Sequence, residues 1–487
     1  MADDLELRRL AARVVMGAFE GLELPAWTAD LLADGLGSLC LFGSNVESPE
    51  QLAALTAAIR AVAPDVLLAT DEEGGDVTRL HMRTGNPHPG NAALGSADDV
   101  DLTSAVATAI GAELRAAGID LDLAPVVDVN SNPHNPVIGV RSFGADAALV
   151  ARHSAAYVSG LQAAGVAACV KHWPGHGDTA LDSHLAMPTV DAPLEVLRAR
   201  ELVPFAAAVE AGTLAVMTSH VLLPAIDPDA PATLSPAVVR LLREDLGFDG
   251  LLVSDALDMK GASGGRGEPA AAVLAVAAGC DLLCLGADKE LGVHEAVIGA
   301  LVAAVQDGTL PEARLREAAG RVSALSARLR AGAGEPVPHP DPEVDTKAAR
   351  RGVRVTGSFP PVQGAVVLRF VTGTNIAVGE VPWGLPADAD ALRGGAQVDV
   401  AETDAVEPLL PRAEGAPLVA LVREPHRRPW VERALHALAA ARPDLVVVEL
   451  GWPGPEPLPG AAVVHSYGAS LSNAAAVAAV LAEGVAG

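Results

Sequence analysis

Aromatic residues are scarce in this chain: phenylalanine, tyrosine and tryptophan make up 3% of its 487 residues. Alanine, valine and leucine must therefore fill most of the interior. Basic residues are also few, with 34 lysines and arginines against 61 aspartates and glutamates, a formal net charge of −27. Because such a charge repels phosphate backbones and no basic cluster offsets it, we expect no binding to nucleic acid.

Cysteine is rare, and long apolar segments are absent. Cys40, Cys169, Cys280 and Cys284 lie in or beside apolar runs and form no Cys-x-x-Cys pair, so we expect buried, reduced thiols. No uninterrupted apolar run reaches the roughly 20 residues of a membrane-spanning helix, so we expect no membrane partner. The acidic residues 1–6 lack the charged-then-apolar pattern of a signal peptide, and we therefore expect a cytoplasmic protein.

Half of the residues are apolar, and many of them form short runs, each followed by an amphipathic stretch. The first eight runs span residues 14–19, 37–42, 65–71, 119–126, 166–172, 214–219, 250–255 and 280–286. Alternating strands and helices predict a parallel sheet whose strands are covered on both faces. Eight such strands favour a (β/α)8 TIM-like barrel over an open doubly wound sheet, which would want a glycine-rich phosphate turn after its first strand.

A segment rich in proline, glycine and alanine divides the chain. Residues 331–342 contain four prolines, typical of a linker. A second, smaller alternation of strands and helices follows. The sequence therefore predicts a barrel domain over 1–330, a linker over 331–346 and a three-layer α/β C-terminal domain over 347–487. Its strands are expected at 365–371, 397–400, 417–422, 444–450 and 461–465, and its helices near 430–441 and 470–484.

Chemically versatile side chains are concentrated between Lys171 and His184, where three histidines, two aspartates and a lysine fall within fourteen positions. Pro174, Gly175 and Gly177 exclude helix and regular strand directly after the preceding apolar run, so this segment is predicted to be a loop. In a barrel, functional groups gather at the carboxyl ends of the strands. The carboxyl ends of the predicted strands carry Asp71, Asp128, Lys171 with His172, Ser219 with His220, and Asp255.

Four blocks of sequence, in order along residues 1–330, resemble the β-N-acetylglucosaminidases of glycoside hydrolase family 3. They are Asp-Glu-Glu-Gly-Gly at 71–75 with Arg79, Ile-Gly-Val-Arg-Ser-Phe at 138–143, Lys-His-Trp-Pro-Gly-His-Gly at 171–177 with Asp-Ser-His at 182–184, and Ser-Asp-Ala-Leu-Asp-Met at 254–259. The resemblance implies a retaining exo-β-N-acetylglucosaminidase that acts on small saccharides and needs no cofactor. The two-domain arrangement, expected to be monomeric or homodimeric, also occurs in this family.

The resemblance implies a role for each catalytic side chain. Asp255 would be the nucleophile, although a capping role at the start of the next helix is the alternative. His184 would be the acid/base, and imidazole suits this role because its ordinary pKa, about 6.5, lies near neutrality. Asp182 would hold one ring nitrogen of His184 and fix its tautomer.

Further residues are expected to bind the sugar. The resemblance assigns this role to Asp71, Arg79, Arg141, Lys171 and His172. Lysine and arginine donate hydrogen bonds to hydroxyl groups, and a carboxylate accepts them. The alternative for the two arginines is simple surface solubility.

Two positions outside these blocks carry separate expectations. Asp76 stands where the family pattern suggests an arginine, and it is expected to add negative charge near the cleft. In the second domain, Glu424 and His426 are expected to be surface residues.

Other functions remain open on the sequence alone. A metal centre built from the histidines and aspartates of 172–184 is disfavoured, because no His-x-His occurs and the loop offers no helical face for paired ligands. Phosphate could replace water as acceptor, which would make the protein a phosphorylase, or the barrel could bind sugar without turnover. Cell-wall recycling fragments and chitin disaccharides both fit as substrates.

Overall fold

The chain folds around an eight-stranded parallel sheet that closes on itself. The computed structural model describes residues 2–181, 187–332, 341–373 and 378–486. The strands of this sheet are β1 (Val15–Gly17), β2 (Ser38–Cys40), β3 (Leu67–Thr70), β4 (Leu121–Asp122), β5 (Ala167–Trp173), β6 (Ala215–Thr218), β7 (Leu251–Val253) and β8 (Leu283–Cys284). Neighbours pair in sequence order, β8 also pairs with β1, and a parallel bridge from Val253 to Leu282 links β7 to β8. The predicted (β/α)8 barrel is confirmed, with one strand in each of the eight apolar runs.

Helices surround this barrel. They are α1 (Ala2–Arg13), α2 (Ala26–Ala33), α3 (Pro49–Val62), α4 (Asn91–Ala97), α5 (Val100–Ala116), α6 (Ala147–Ala163), α7 (Leu194–Ala199), α8 (Leu202–Glu210), α9 (Pro236–Arg240), α10 (Lys260–Ser263), α11 (Glu268–Ala278), α12 (Leu291–Gln306) and α13 (Glu312–Ala331). Local sequence sets their ends and spacing. Ser48 Oγ accepts from the Gln51 N–H at 3.2 Å and caps α3. A Cβ on Gly160 would lie 2.1 Å from Ser104 O, so glycine is needed where α5 and α6 touch.

A second sheet of six strands lies in the C-terminal part of the chain. Its elements are α14 (Val344–Gly352), β9 (Arg354–Gly357), β10 (Val366–Phe370), β11 (Ala396–Val400), β12 (Leu418–Val422), α15 (Pro429–Ala441), β13 (Val446–Glu449), β14 (Ala462–His465) and α16 (Leu471–Glu483). The strand order is β11-β10-β12-β13-β14-β9, and only β9 is antiparallel to its neighbour. Alternate residues of β12 face opposite layers: Leu421 packs with Val477 of α16, and Ala420 packs with Leu435 of α15. The predicted C-terminal α/β domain is confirmed.

The β9 strand and the α14 helix were not expected from the sequence. The β9 sequence, Arg-Val-Thr-Gly, is short and mostly exposed at the edge of the sheet, so it lacks the apolar run that marks the other strands. The α14 helix contacts α4 of the barrel as well as α16. Since residues 333–340 of the expected linker lie outside the described part of the chain, the domain boundary stays a prediction.

The second unit is attached to loops at one end of the barrel. Asp76 forms a buried ion pair with Arg423 and also accepts from the Ala469 N–H at 2.9 Å. His426 Nε2 lies 3.1 Å from Pro133 O in a loop of the barrel. The expectation for Asp76 is therefore wrong: its charge is neutralised between the two units and does not face the cleft. His426 and Glu424 are half-buried, which is compatible with the expectation that they are surface residues.

None of the described helices combines the length and the apolar character needed to cross a lipid bilayer.

A buried carboxyl group makes the stability of the second unit depend on pH. Glu449, at the end of β13, is fully buried, and its Oε1 accepts from the N–H groups of Glu424 (2.9 Å) and Gly451 (2.7 Å). Burial raises the pKa of Glu449 to about 8, although these two hydrogen bonds oppose the shift. The folded protein therefore keeps a proton that the unfolded chain loses at much lower pH.

We predict that Glu449→Gln removes part of this pH dependence. Because the pKa of Glu449 is higher in the folded protein than in the unfolded chain, its contribution to stability is complete below the unfolded pKa and falls as the pH rises towards 8. For one such group, the loss in free energy of unfolding between pH 5 and pH 8 is on the order of 3 kcal/mol. Urea denaturation at both pH values should show a larger loss for the wild type than for the variant. The exposed Glu456→Gln control should follow the wild type. Equal pH dependence in all three proteins would contradict the assignment.

Candidate functional site

A cavity of about 480 Å³ opens at the carboxyl ends of the barrel strands. Among its lining residues are six of the eight side chains expected from the sequence, namely Asp71, Arg79, Arg141, Lys171, His172 and Asp255. They arrive from different elements. Asp71 directly follows β3, Lys171 and His172 belong to β5, and Asp255 comes two residues after β7. The remaining two residues, Asp182 and His184, lie outside the described residues.

Glu73 joins the charged residues of the cavity into one network. Lys171 Nζ lies 2.6 Å from Asp71 Oδ1 and 2.7 Å from Glu73 Oε1. Arg141 donates to both oxygens of Glu73, from Nε at 2.9 Å and from the Nη2 atom at 2.8 Å. The side chains of Lys171, Glu73 and Arg141 are at most 6% exposed. Three chain segments are thereby fixed to one another through short, water-excluded ion pairs.

This network keeps its members ionised. Burial alone would raise the pKa of Glu73, but Arg141 and Lys171 outweigh it and hold the pKa well below the ordinary value. Burial likewise opposes the charge on Lys171, yet Asp71 and Glu73 raise its pKa. The pKa of Asp71 is lowered despite its burial, because Lys171 and Arg79 lie close by. The cavity therefore presents fixed ionic donors and acceptors at neutral pH.

A buried aspartate orients the imidazole of His172. Asp128 Oδ2 lies 2.7 Å from His172 Nδ1, and Asp128 Oδ1 accepts from the His176 N–H at 2.7 Å. Burial opposes the charge of Asp128, but His172 and then His176 lower its pKa. Nδ1 of His172 thus donates to a carboxylate, and Nε2 points towards Arg141, whose Nη2 atom is 3.4 Å away. This arrangement selects one tautomer of His172.

His176 also lines the cavity but is held neutral. Burial and then the neighbouring His172 lower its pKa to about 4. Its Nδ1 lies 2.7 Å from the Thr179 hydroxyl, within the loop that follows β5. These contacts favour a role in shaping that loop.

Asp255 is 8% exposed and lines the same cavity from the segment that follows β7. Its Oδ1 accepts from the N–H of Ala256 at 2.8 Å. His220 Nε2 lies 2.9 Å from the carbonyl oxygen of Ala256, which connects the segment that carries Asp255 to the residues that follow β6. The next helix, α10, begins only at Lys260, so the alternative role of Asp255 as a helix cap is wrong.

Sequence reasoning did not select Glu73, Asp128 or His176 as site residues. Glu73 stands in the same sequence block as Asp71. A further carboxylate so close to a predicted strand end was a usable signal. The sequence predicts Asp128 at a strand end, but nothing in it indicates that Asp128 contacts His172, which is 44 positions away. Such partners become visible only once the strands are neighbours.

The model of the glycosyl hydrolase family 3 N-terminal domain matches residues 22–325. The chain belongs to glycoside hydrolase family 3. The expected family and the broader class of glycoside hydrolase are thereby confirmed.

Two curated relatives match the barrel part of the chain. The β-hexosaminidase A of Pseudoalteromonas piscicida is 34% identical over 334 residues, which is 63% of this chain and 56% of that protein, so the chain spans little more than half of its length. The β-hexosaminidase of Stenotrophomonas maltophilia (strain R551-3) is 38% identical over 311 residues, covering 62% of this chain and 89% of that protein.

A solved structure matches both units. It is a family 3 β-N-acetylglucosaminidase from Paenibacillus sp. strain FPU-7, with a TM-score of 0.87 and 34% sequence identity. The match covers 98% of this chain and 96% of that one, so the arrangement of barrel and second sheet is shared by the two proteins.

We predict that Glu73→Gln is strongly destabilising, because Lys171 and Arg141 would keep buried charges with a neutral partner. Breaking a buried ion pair costs about 3–5 kcal/mol. Glu317→Gln is the matched control, since Glu317 also pairs with two arginines but its side chain is 51% exposed. That change should cost less than about 1 kcal/mol. Denaturant unfolding measures both, and similar losses would show that Glu73 does not hold the site together.

Proposed function

We propose that this family 3 protein is a retaining exo-β-N-acetylglucosaminidase acting on small saccharides. The observation that carries the proposal is the gathering of Asp255 and the sugar-binding candidates around one cavity. Retaining hydrolysis needs a nucleophile on one face of the sugar and a proton donor near the leaving oxygen. The names of the relatives, β-hexosaminidase and β-N-acetylglucosaminidase, support the same substrate class.

The shape of the cavity supports release of a terminal sugar. The buried network of Lys171, Glu73 and Arg141 lines part of it. Asp71 and Arg79 lie at the same end and offer an acceptor and donors to hydroxyl groups. Apolar side chains, among them Leu123 and Met217, complete the lining. A pocket of this kind accommodates the end of a chain better than its middle.

Two balanced steps account for the reaction. First, the Asp255 carboxylate forms a bond to the anomeric carbon, the bond to the leaving oxygen breaks, and that oxygen takes a proton from the His184 imidazolium. Next, neutral His184 takes a proton from water, the water oxygen bonds to the anomeric carbon, and Asp255 leaves as a carboxylate. Water is consumed, and the enzyme returns to its starting state.

His184 is proposed as the acid/base because of its place in the chain. It follows β5, whose own Lys171 and His172 line the cavity. Asp182, two positions earlier, would accept from one ring nitrogen and favour the imidazolium, as an orienting aspartate does in a catalytic triad. A histidine with an ordinary pKa of about 6.5 can both give and take a proton at neutral pH.

We predict that Asp255→Asn lowers kcat on an aryl β-N-acetylglucosaminide by a factor on the order of 10³ or more, because the amide cannot form the glycosyl ester. Asp258→Asn is the matched control, since Asp258 lines the same cavity but pairs with Lys289 at 2.8 Å. The control should keep most of its activity. Turnover by Asp255→Asn at the wild-type rate would refute the role of Asp255.

The released sugar identifies the acceptor. In phosphate buffer the wild type should still give free N-acetylglucosamine, and sugar 1-phosphate as the main product would instead indicate a phosphorylase. Comparing rates on a cell-wall fragment, with N-acetylglucosamine on muramic acid, and on a chitin disaccharide would rank the two natural substrate candidates.

We predict that His184→Ala affects substrates according to their leaving groups. A disaccharide needs protonation of its leaving oxygen, so its kcat should fall by about 10²–10⁴, the usual contribution of general acid catalysis. An aryl substrate with an acidic leaving group should lose much less in the glycosylation step. The exposed His436→Ala should change neither rate. Equal losses on both substrates would contradict an acid role for His184.

A further inference from the structure

Two imidazoles and a carboxylate converge outside the cavity. His81 and His88 lie on the loop between β3 and α4, and Glu113 projects from α5. His81 Nε2 is 2.8 Å from Glu113 Oε2, and His88 Nε2 is 3.4 Å from Glu113 Oε1. One ligand atom from each residue lies within 4.8 Å of the others. None of the three residues lines the cavity described above.

The second unit fixes the orientation of His88. Its ring is 1% exposed, and its Nδ1 lies 3.0 Å from Asp345 Oδ1 on α14. The Nδ1–H group therefore donates to this carboxylate, and Nε2 faces Glu113, where a metal ion would replace its proton. A carboxylate that holds the far nitrogen of a histidine is the usual support of a metal-binding imidazole.

Nε2 of His88 is buried and makes no hydrogen bond to any described residue. Its contact with Glu113 Oε1, at 3.4 Å, is an ion pair without the geometry of a hydrogen bond. As a metal ligand, it needs only its lone pair. The isolated ring nitrogen is the observation that distinguishes a metal site from an ordinary cluster of ion pairs.

The donor set and its spacing suit zinc. Two imidazole nitrogens and one carboxylate oxygen are common zinc ligands, and tetrahedral bonds of about 2.0–2.1 Å place donor atoms roughly 3.3 Å apart. The two contacts of 2.8 and 3.4 Å are close to this spacing. The side chains of His81 and Glu113 are 21% and 31% exposed, so a fourth position faces solvent and can be filled by water.

We propose that His81, His88 and Glu113 bind one zinc ion, with Asp345 as a positioning residue. The ion joins the β3–α4 loop to α5 and, through Asp345, to α14 of the second unit. Arg79 precedes His81 by two positions and lines the cavity. The zinc therefore has a structural role: it braces the loop that carries part of the sugar-binding surface.

The test measures zinc on the full-length chain after dialysis against a chelator. Equilibrium dialysis with Zn²⁺, followed by metal analysis, should show one more zinc per wild-type chain than per chain of His81→Gln or Glu113→Gln. His436→Gln, which changes an exposed histidine on α15, should bind as the wild type does. Unchanged stoichiometry in His81→Gln and Glu113→Gln, or no zinc on the wild type, would overturn the proposal and leave a protonated ion-pair cluster.

A second variant tests the positioning residue without removing a ligand. Asp345→Asn should weaken zinc affinity by about 10–100-fold, the usual effect of losing such a support. Zinc should also raise the thermal midpoint of the wild type but not that of Glu113→Gln. Wild-type affinity in Asp345→Asn would show that this carboxylate does not orient a ligand and would overturn the assignment.

Discussion

Glu73 is the carboxylate on which the geometry of the cavity depends. It binds Lys171 of β5 and Arg141 from the loop before α6, while its own segment follows β3. Burying any one of these charges alone would be costly, and each is tolerated only because its partners are present. The network therefore forms as a unit or not at all. It fixes three chain segments to one another and so gives the cavity a preformed arrangement of charged groups.

The charges that line the cavity follow the acidic balance of the whole chain. The cavity is lined by three permanent cations, Arg79, Arg141 and Lys171, and by five carboxylates, Asp71, Glu73, Asp255, Asp258 and Asp288. Carboxylates outnumber permanent cations among these described residues, so the cavity does not act as an anion trap despite its cations. A hydroxyl-rich ligand instead meets directional donors and acceptors whose positions are already fixed.

The sequence predicted the barrel well because buried parallel strands are uninterrupted apolar runs, a pattern that needs no knowledge of neighbours. It predicted that Asp71, Lys171, His172 and Asp255 lie together because strand ends of a barrel converge, whereas Arg79 and Arg141 came only from the family resemblance. It failed where a residue's role depends on a distant partner. Asp76 is neutralised by Arg423, which is 347 positions away, and no local pattern announces such a pair. The β9 strand was missed for a related reason, since an exposed edge strand is held by its neighbour β14 and not by its own apolar residues.

The second unit is attached where the barrel loops need support. Arg423 pairs with Asp76 of the loop that follows β3, and His426 contacts Pro133 of the loop that follows β4. Gly379 of the second unit itself lines the cavity. Because these loops carry or adjoin residues that line the cavity, the second unit contributes to the cavity's shape. Removing the second unit would deprive Asp76 of its ion-pair partner, Arg423. The barrel loops would then have to rearrange.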